Sequence, residues 1–249
     1  MSGHSKWAQI KRQKGANDAR KGQTFTKLGR EITVAARQGG TDPEANFRLR
    51  LAIVKAREAN MPMENIERAI KRAAGAGEGV TLEEVSYEGY GPGGAALLVE
   101  VTTDNRNRAA SEVRNAFARG GGNLGESGCV AWLFEPRGVI VVEVGDADAD
   151  EIALLAIDAG AEDVKTENGT VEIYTEPTAL EQVRREIERH KLKIASAENS
   201  MLPKASLTLD EKDALQLLKL MDRLEDLDDV QKVYTNAEFS EDLLEKYES

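Results

Sequence analysis

The stretch EDVKTENGTVEIYTE, residues 162–176, decides how the middle of the chain folds. Asn168-Gly169 separates two runs that alternate polar and apolar residues, and Asn-Gly is the preferred two-residue turn of a β-hairpin. Four further patterns flank this hairpin: an apolar strand at 139–144, a helix at 150–159, a helix at 178–191 and a strand at 193–198. The order β-α-β-β-α-β predicts a ferredoxin-like unit.

The chain on both sides of this unit shows a second pattern, strand–helix–strand. It occurs at 95–134, where strands at 95–101 and 129–134 flank a helix at 107–119, and again at 206–235. This repetition predicts two halves of one α+β domain, with the ferredoxin-like unit inserted between them.

Residues 1–77 contain helical patterns only. Gly39-Gly40 ends the first helix, Asp42-Pro43 begins the second, and Pro62 begins the third. Phe25, Leu28, Ile32 and Ala35 form one face of the first helix, and Phe47, Leu51 and Val54 lie on one side of the second. The segment AGAGEG (74–79) is the predicted exit linker.

The sequence therefore predicts an α+β protein of three domains. They are a basic helical domain at 1–77, a discontinuous α+β domain at 78–135 and 204–249, and an inserted ferredoxin-like α+β domain at 136–203. The composition, 41% hydrophobic and 31% charged, is typical of a soluble globular protein.

Membrane and secreted classes are excluded by simple features. No apolar run approaches the roughly 20 residues of a membrane helix, and the basic first residues lack the apolar core of a secretory signal. The single cysteine, Cys129, excludes an internal disulfide and a cysteine-based zinc site. A cytoplasmic protein is the prediction.

The net charge of −11 hides a strong asymmetry. Residues 1–77 hold 16 lysines and arginines against 7 acidic residues, a net charge of +9, whereas the rest holds 17 against 37, a net charge of −20. This split predicts that the basic part meets a polyanion, although mutual neutralisation of the two parts explains it too. Without a polyanion, the acidic domains are expected to cover the basic one.

The sequence contains no pattern that points to catalysis. A GxGxxG occurs at Gly89–Gly94, but a strand follows it instead of a helix, which indicates a tight turn and not a dinucleotide site. His4 and His190 are too few for a histidine-based metal site. We therefore predict a protein that is not an enzyme and that needs no cofactor and no metal.

The candidate nucleic-acid contacts are basic residues in three places. They lie in the N-terminal arm, on the outer face of the first helix, and at the start of the helix after TTDNRNR (102–108). Trp7 adds an aromatic ring that can stack on a base. The full set is Lys6, Trp7, Lys11, Arg12, Lys14, Arg20, Lys21, Lys27, Arg30, Arg37, Arg106 and Arg108. For Arg106 and Arg108, pairing with nearby acidic groups is an equal alternative to a bound phosphate.

The ferredoxin-like unit fails as an RNA-recognition module. Such modules stack bases on aromatic residues of their central strands, and here Tyr174 is the only one. It is expected on an exposed face with Glu172 and Glu176. Residues 136–203 hold 7 basic against 15 acidic residues, a net charge of −8 that repels phosphate. A protein-interaction or spacer role is predicted.

The motifs together resemble one family, YebC/PmpR, over essentially the whole chain. They are GHSKWAQIK (3–11), KLGREI (27–32), NMPMENIERAIKR (60–72), EGYGPGG (88–94), TTDNRNR (102–108) and GGNLGESGCVAW (121–132). Its members include probable transcriptional regulators and the mitochondrial translational activator of cytochrome c oxidase. Gln9 and Gln13 replace family-typical residues without removing positive charge.

The resemblance implies one helical and two α+β domains, a cytoplasmic location in bacteria, and nucleic-acid contacts in the basic N-terminal residues. It implies either DNA-binding transcriptional regulation or ribosome-associated translation control, including relief of stalling at proline-rich sequences.

Charge tilts the expectation slightly toward the ribosome. An acidic protein is repelled by long DNA, whereas basic ribosomal proteins can face its acidic domains while ribosomal RNA binds the basic one. The second possibility is a DNA-binding regulator. The third is a protein–protein adaptor, for which no salt-dependent binding to nucleic acid is expected. A monomer is expected.

Overall fold

The structure, a computed structural model, describes residues 18–75, 81–145, 147–167 and 169–248, without the side chains of 18–20, 241 and 248. Its helices are α1 (Asp18–Gly39), α2 (Phe47–Glu58), α3 (Met63–Ala73), α4 (Arg106–Arg119), α5 (Ala149–Asp158), α6 (Leu180–Arg189), α7 (Glu211–Glu225) and α8 (Glu241–Glu248). Its strands are β1 (Glu83–Tyr90), β2 (Ala96–Thr103), β3 (Asn123–Leu124), β4 (Phe134–Glu143), β5 (Asp163–Glu167), β6 (Thr170–Thr175), β7 (Lys193–Pro203), β8 (Leu207–Thr208), β9 (Val230–Thr235) and β10 (Ala237–Glu238). No helix within these ranges is long and apolar enough to cross a membrane.

The N-terminal helical domain has a core to which all three of its helices contribute. The buried residues are Ile32, Ala35, Ala36, Leu49, Ala52, Ile53, Ala56, Met61, Ile66 and Ala69. Phe25 and Leu28 pack against them, so the predicted apolar face of α1 is confirmed.

The second helix begins at Phe47, later than the start predicted at Pro43. Its N-cap is the buried Asn46, whose side chain accepts a hydrogen bond from a first-turn N–H at 3.1 Å and donates one to the carbonyl of Ala35 at 2.7 Å. A Cβ atom on Gly39 would lie 2.6 Å from the donor nitrogen of Asn46. Glycine is therefore needed where α1 ends, because any side chain would push out the cap of α2.

Helix α2 is apolar on two sides. Leu49, Ala52, Ile53 and Ala56 form its inward face. Phe47 and Leu51, predicted to lie on one side of the helix, pack against the core of the ferredoxin-like domain. The helix is sandwiched between two domains, which explains why it carries more apolar residues than one face needs.

The sheet of the discontinuous domain joins strands from both sides of the insertion. Its order is β3-β1-β2-β9, and β9 pairs antiparallel with β2, with Val99 opposite Val233. Helices α4 and α7 cover one face, where Phe117, Leu217 and Met221 are fully buried. The chain therefore leaves this sheet, builds the inserted domain and returns to complete it.

The strand predicted at 129–134 is wrong. Residues Ala131–Leu133 form a short 3-10 turn, and β4 begins at Phe134. The cause is the buried carboxylate of Glu88, which accepts hydrogen bonds from the backbone N–H groups of Gly128, Val130 and Ala131 at 2.7, 2.8 and 2.7 Å. These donors turn inward to Glu88, so they cannot form a strand ladder.

The inserted domain has the predicted ferredoxin-like topology. Its sheet order is β5-β6-β4-β7 with every pair antiparallel. Helices α5 and α6 cover one face and bury Ile152, Leu180, Val183 and Ile187 against the sheet.

One detail of this sheet was predicted wrongly. Tyr174 and Glu172 are 5% and 1% exposed, whereas an open face was expected. The Tyr174 hydroxyl donates to Glu172, and the ammonium of Lys165 lies 5.4 Å from the centre of the tyrosine ring. On this face Tyr174 packs with Val139 and Val141 of β4, against which Ala195 and Leu202 of β7 also pack.

Candidate nucleic-acid interface

The predicted basic face of α1 is divided between open surface and an interdomain contact. On this face Arg37 is exposed, whereas Lys27 and Arg30 are partly buried. Lys21, which precedes this face, is exposed too. The candidates Lys6, Trp7, Lys11, Arg12 and Lys14, and the side chain of Arg20, lie outside the described residues.

Lys27 and Arg30 contact what we call the acidic turn, residues 225–229 (EDLDD), which joins α7 to β9. Gln23, Lys27 and Arg30 follow one another at spacings of four and three residues, so they share one face of α1. Gln23 donates to the carbonyl of Asp226, Lys27 to that of Glu225, and Arg30 to that of Asp228. This face of α1 therefore lies along the backbone of the acidic turn.

Asp229, the last residue of the acidic turn, is 3% exposed and binds two arginines from different domains. Its Oδ1 lies 2.8 Å from Nη1 of Arg30, and its Oδ2 lies 2.7 Å from Nη2 of Arg108. The hydroxyl of Thr103 also donates to Oδ2, at 2.7 Å. The fold thus brings together two predicted contact residues that are 78 positions apart in the sequence.

The environment of Asp229 favours its charged form. Burial alone would raise the pKa of this carboxyl group, but hydrogen bonds from Arg108 and Thr103 and the charge of Arg30 lower the pKa below its ordinary value. The hydrogen bond to Asp229, together with a second one to Asp104 at 2.7 Å, raises the pKa of Arg108. Asp229 and Arg108 are therefore both charged at neutral pH.

The two arginines at the start of α4, Arg106 and Arg108, form ion pairs with acidic residues. Asn105 caps the helix by accepting from the backbone N–H of Arg108 at 3.0 Å. Arg106 is exposed and lies 3.6 Å from Glu83. Pairing with acidic groups, the alternative that the sequence left open, is therefore present for both arginines.

The structure adds candidates that the sequence reasoning missed. Arg57, Arg68 and Arg72 are exposed, and none of them has an ion-pair partner in the described part of the chain. Arg68 and Arg72 lie one turn apart on the outer face of α3. Their four-residue spacing opposite the apolar Ile66 and Ala69 was the signal that could have identified them.

A second ionic contact joins all three domains. The carboxylate of Glu198, on β7, lies 3.1 Å from the ammonium of Lys55 on α2 and 3.0 Å from that of Lys232 on β9. Lys55 and Lys232 also line a cavity of about 580 Å³ between the three domains. Burial lowers the pKa of Lys232, but the charges of Glu198, Glu31 and Glu100 raise it more, so the lysine stays protonated.

Replacing Glu198 by glutamine should lower the free energy of unfolding by about 1–3 kcal/mol, because Lys55 and Lys232 lose their shared counter-ion. The pKa of Lys232 is raised in the folded state, so the contribution is present at neutral pH and is lost as the pH rises above about 10.5. Urea titrations at pH 7 measure the effect. The matched control is Glu186→Gln on the surface of α6, which should change stability by less than about 1 kcal/mol. Equal losses in the two variants would contradict the prediction.

Two protein-family models match the chain. The model of the TACO1/YebC protein N-terminal domain matches residues 5–76, and that of the TACO1/YebC second and third domain matches residues 82–237. The boundary between them falls within the glycine-rich segment that follows α3.

Known relatives are similar over the full length. A probable transcriptional regulatory protein of Dehalococcoides mccartyi is 57% identical over 100% of this chain and 99% of its own. Another of the same description, from Moorella thermoacetica, is 57% identical over 96% of each chain. The crystal structure of a conserved hypothetical protein from Aquifex aeolicus matches with a TM-score of 0.82 and 50% identity, over 90% of this chain and 93% of that one.

Proposed function

The chain belongs to the TACO1/YebC family, and we propose that it is a non-enzymatic regulator of gene expression that binds nucleic acid through its N-terminal helical domain. The proposed boundaries are 1–77 for this domain, 78–135 with 204–249 for the discontinuous domain, and 136–203 for the inserted one. The proposal includes a monomer that acts in the cytoplasm without a cofactor or metal.

The observation that carries the proposal is the charge split between the domains. The helical domain has a net charge of +9, and three of its arginines, Arg57, Arg68 and Arg72, are exposed and unpaired among the described residues. Exposed guanidinium groups of this kind bind phosphate oxygens in a bidentate geometry. The remaining domains, at −20, would repel the same ligand.

Ribosomal RNA is the proposed target, with relief of stalling at proline-rich sequences as the activity. A long duplex would run past the acidic domains and be repelled, whereas a ribosomal surface alternates RNA with basic proteins that can bind them. Duplex DNA is the second candidate, because the curated relatives carry the name of probable transcriptional regulatory proteins.

The test compares both targets at equal salt. Full-length protein is titrated into a labelled structured fragment of ribosomal RNA and a labelled DNA duplex of the same length, and is co-sedimented with whole ribosomes. Tighter binding to ribosomes and RNA supports the first candidate, and preference for the duplex supports the second. Binding to neither nucleic acid, with ribosome binding intact, would mean that the protein is an adaptor.

Changing Arg57, Arg68 and Arg72 together to glutamine should weaken binding and make the plot of log K against log salt shallower by about 2 to 3 units, close to one per lost phosphate contact. The measurement is a salt series of binding titrations. A matched control changes three exposed cations of the inserted domain, Arg185, Arg189 and Lys193, to glutamine. If the control reduces the slope as much, net charge and not a specific surface determines binding.

A further inference from the structure

The acidic turn contacts the cations of α1 and α4 with oxygen atoms alone. Lys27, Arg30 and Arg108 donate to carbonyl or carboxylate oxygens of this turn. The turn carries four carboxylates, from Glu225, Asp226, Asp228 and Asp229, against these three cations. In the closed arrangement the three cations are therefore neutralised from inside the protein.

The geometry at Asp229 resembles that of a bound phosphodiester. A phosphodiester presents two non-bridging oxygens, each of which can accept from one guanidinium group. Asp229 presents its two oxygens in the same way, because Arg30 binds Oδ1 and Arg108 binds Oδ2. The two arginines come from different domains, so one small anion holds the domains together at this point.

We propose that Arg30, Arg108 and Lys27 form a composite phosphodiester-binding site across two domains, and that the acidic turn with Asp229 occupies this site as an internal competitor. The inference rests on the proposed function and specifies how that function is regulated. Nucleic acid displaces the acidic turn, and a phosphate takes the place of the Asp229 carboxylate between Arg30 and Arg108.

Displacement of the turn enlarges the exposed basic face of α1. Arg37 lies seven residues after Arg30, on the same side of the helix, and is already exposed, so uncovering Lys27 and Arg30 joins three cations on one face. After displacement of the turn, Arg108 keeps its ion pair with Asp104 at 2.7 Å. Nucleic acid therefore favours the open form by binding it better than the closed one.

The test is Asp229→Asn in the full-length protein. Asparagine keeps the size and an acceptor for Thr103, but it removes the charge that binds the two arginines. If the closed form holds about nine-tenths of the molecules, opening should raise the affinity for RNA about tenfold at low salt. The gain should shrink near 0.15 M salt as screening weakens the competing turn.

The matched control is Asp226→Asn, which makes the same charge change in the same turn at an exposed side chain. It should raise affinity by less than about twofold. If the two variants bind RNA with equal affinity, Asp229 only stabilises the contact between the domains and does not compete with nucleic acid, and the inference is wrong. If neither variant nor the wild type binds nucleic acid, the proposed function itself fails, which is a different result.

A cross-link keeps the test decisive if Asp229→Asn does not fold. Gln23 and Asp228 lie on the two sides of the contact, 3.2 Å apart at their side-chain ends. Cysteines at both positions, in a Cys129→Ser background, allow a short reducible cross-linker to hold the turn on α1. The locked protein should bind RNA at least tenfold more weakly than the same sample after reduction. Equal binding before and after reduction would overturn the inference.

Discussion

Raising the salt concentration from 50 to 200 mM should weaken nucleic-acid binding by about 100- to 500-fold. If about five phosphates are neutralised, log K falls against log salt with a slope of roughly −3.5 to −4.5, because each contact releases condensed counter-ions. The helical domain, with 16 basic residues, has enough cations for five contacts even while some pair internally. Anisotropy titrations with labelled RNA at four salt concentrations give the slope.

Competition from the acidic turn changes the slope of log K against log salt. Screening weakens the turn and the nucleic acid together, so the wild type should have a shallower slope than Asp229→Asn. Circular dichroism at each salt concentration is the control for folding. A flat titration in folded protein would contradict nucleic-acid binding and favour the adaptor.

Local patterns predicted most of the architecture. The Asn168-Gly169 pair, of which Asn168 lies outside the described residues, predicted a hairpin, and β5 and β6 do pair antiparallel. The order of patterns around it predicted a topology that the sheet order β5-β6-β4-β7 confirms. The return of the chain to the first sheet was also predicted, from strand and helix patterns on both sides of the insertion, and the pairing of β2 with β9 agrees with it. Each of these signals lies within a few residues, where periodicity and turn chemistry act directly.

The wrong predictions depend on contacts between distant residues. No local pattern shows that Glu88 will bind backbone groups 40 or more residues away and convert a β-prone run into a 3-10 turn. Likewise, a helical wheel shows that Lys27 and Arg30 point away from the apolar stripe, but not that another domain lies there. Composition did predict that acidic residues would provide that contact.

Helix α2 shows an intermediate case. Its apolar residues fall on two faces, which a wheel reveals, but Phe47 and Leu51 were predicted only to share one side of the helix, with no packing partner named. Two apolar faces on one helix indicate two packing partners.

Replacing Glu88 by glutamine should lower the free energy of unfolding by about 3 kcal/mol at pH 7, the largest stability effect we expect from one conservative change. The carboxylate is 5% exposed and accepts three backbone N–H groups, and hydrogen bonds to a charged acceptor are among the strong ones. In glutamine one oxygen becomes an NH₂ group that faces these donors, so at least one buried N–H loses its partner. Thermal and urea unfolding at pH 7 measure the loss, with the exposed Glu126→Gln in the same loop as control.

The pH dependence separates this mechanism from general damage to the loop. Burial raises the pKa of Glu88, but the three backbone hydrogen bonds lower it further, so the folded-state pKa lies below the ordinary 4.5. Because the pKa of Glu88 is lower in the folded state, its ionised carboxylate contributes its full stabilisation above pH 4.5. That contribution is lost as the pH falls through the pKa of the folded state. The stability difference between wild type and Glu88→Gln should therefore be constant from pH 8 to pH 6 and shrink in acid. A difference that stays constant down to pH 3 would show that the charge of Glu88 is not what holds residues 128–131.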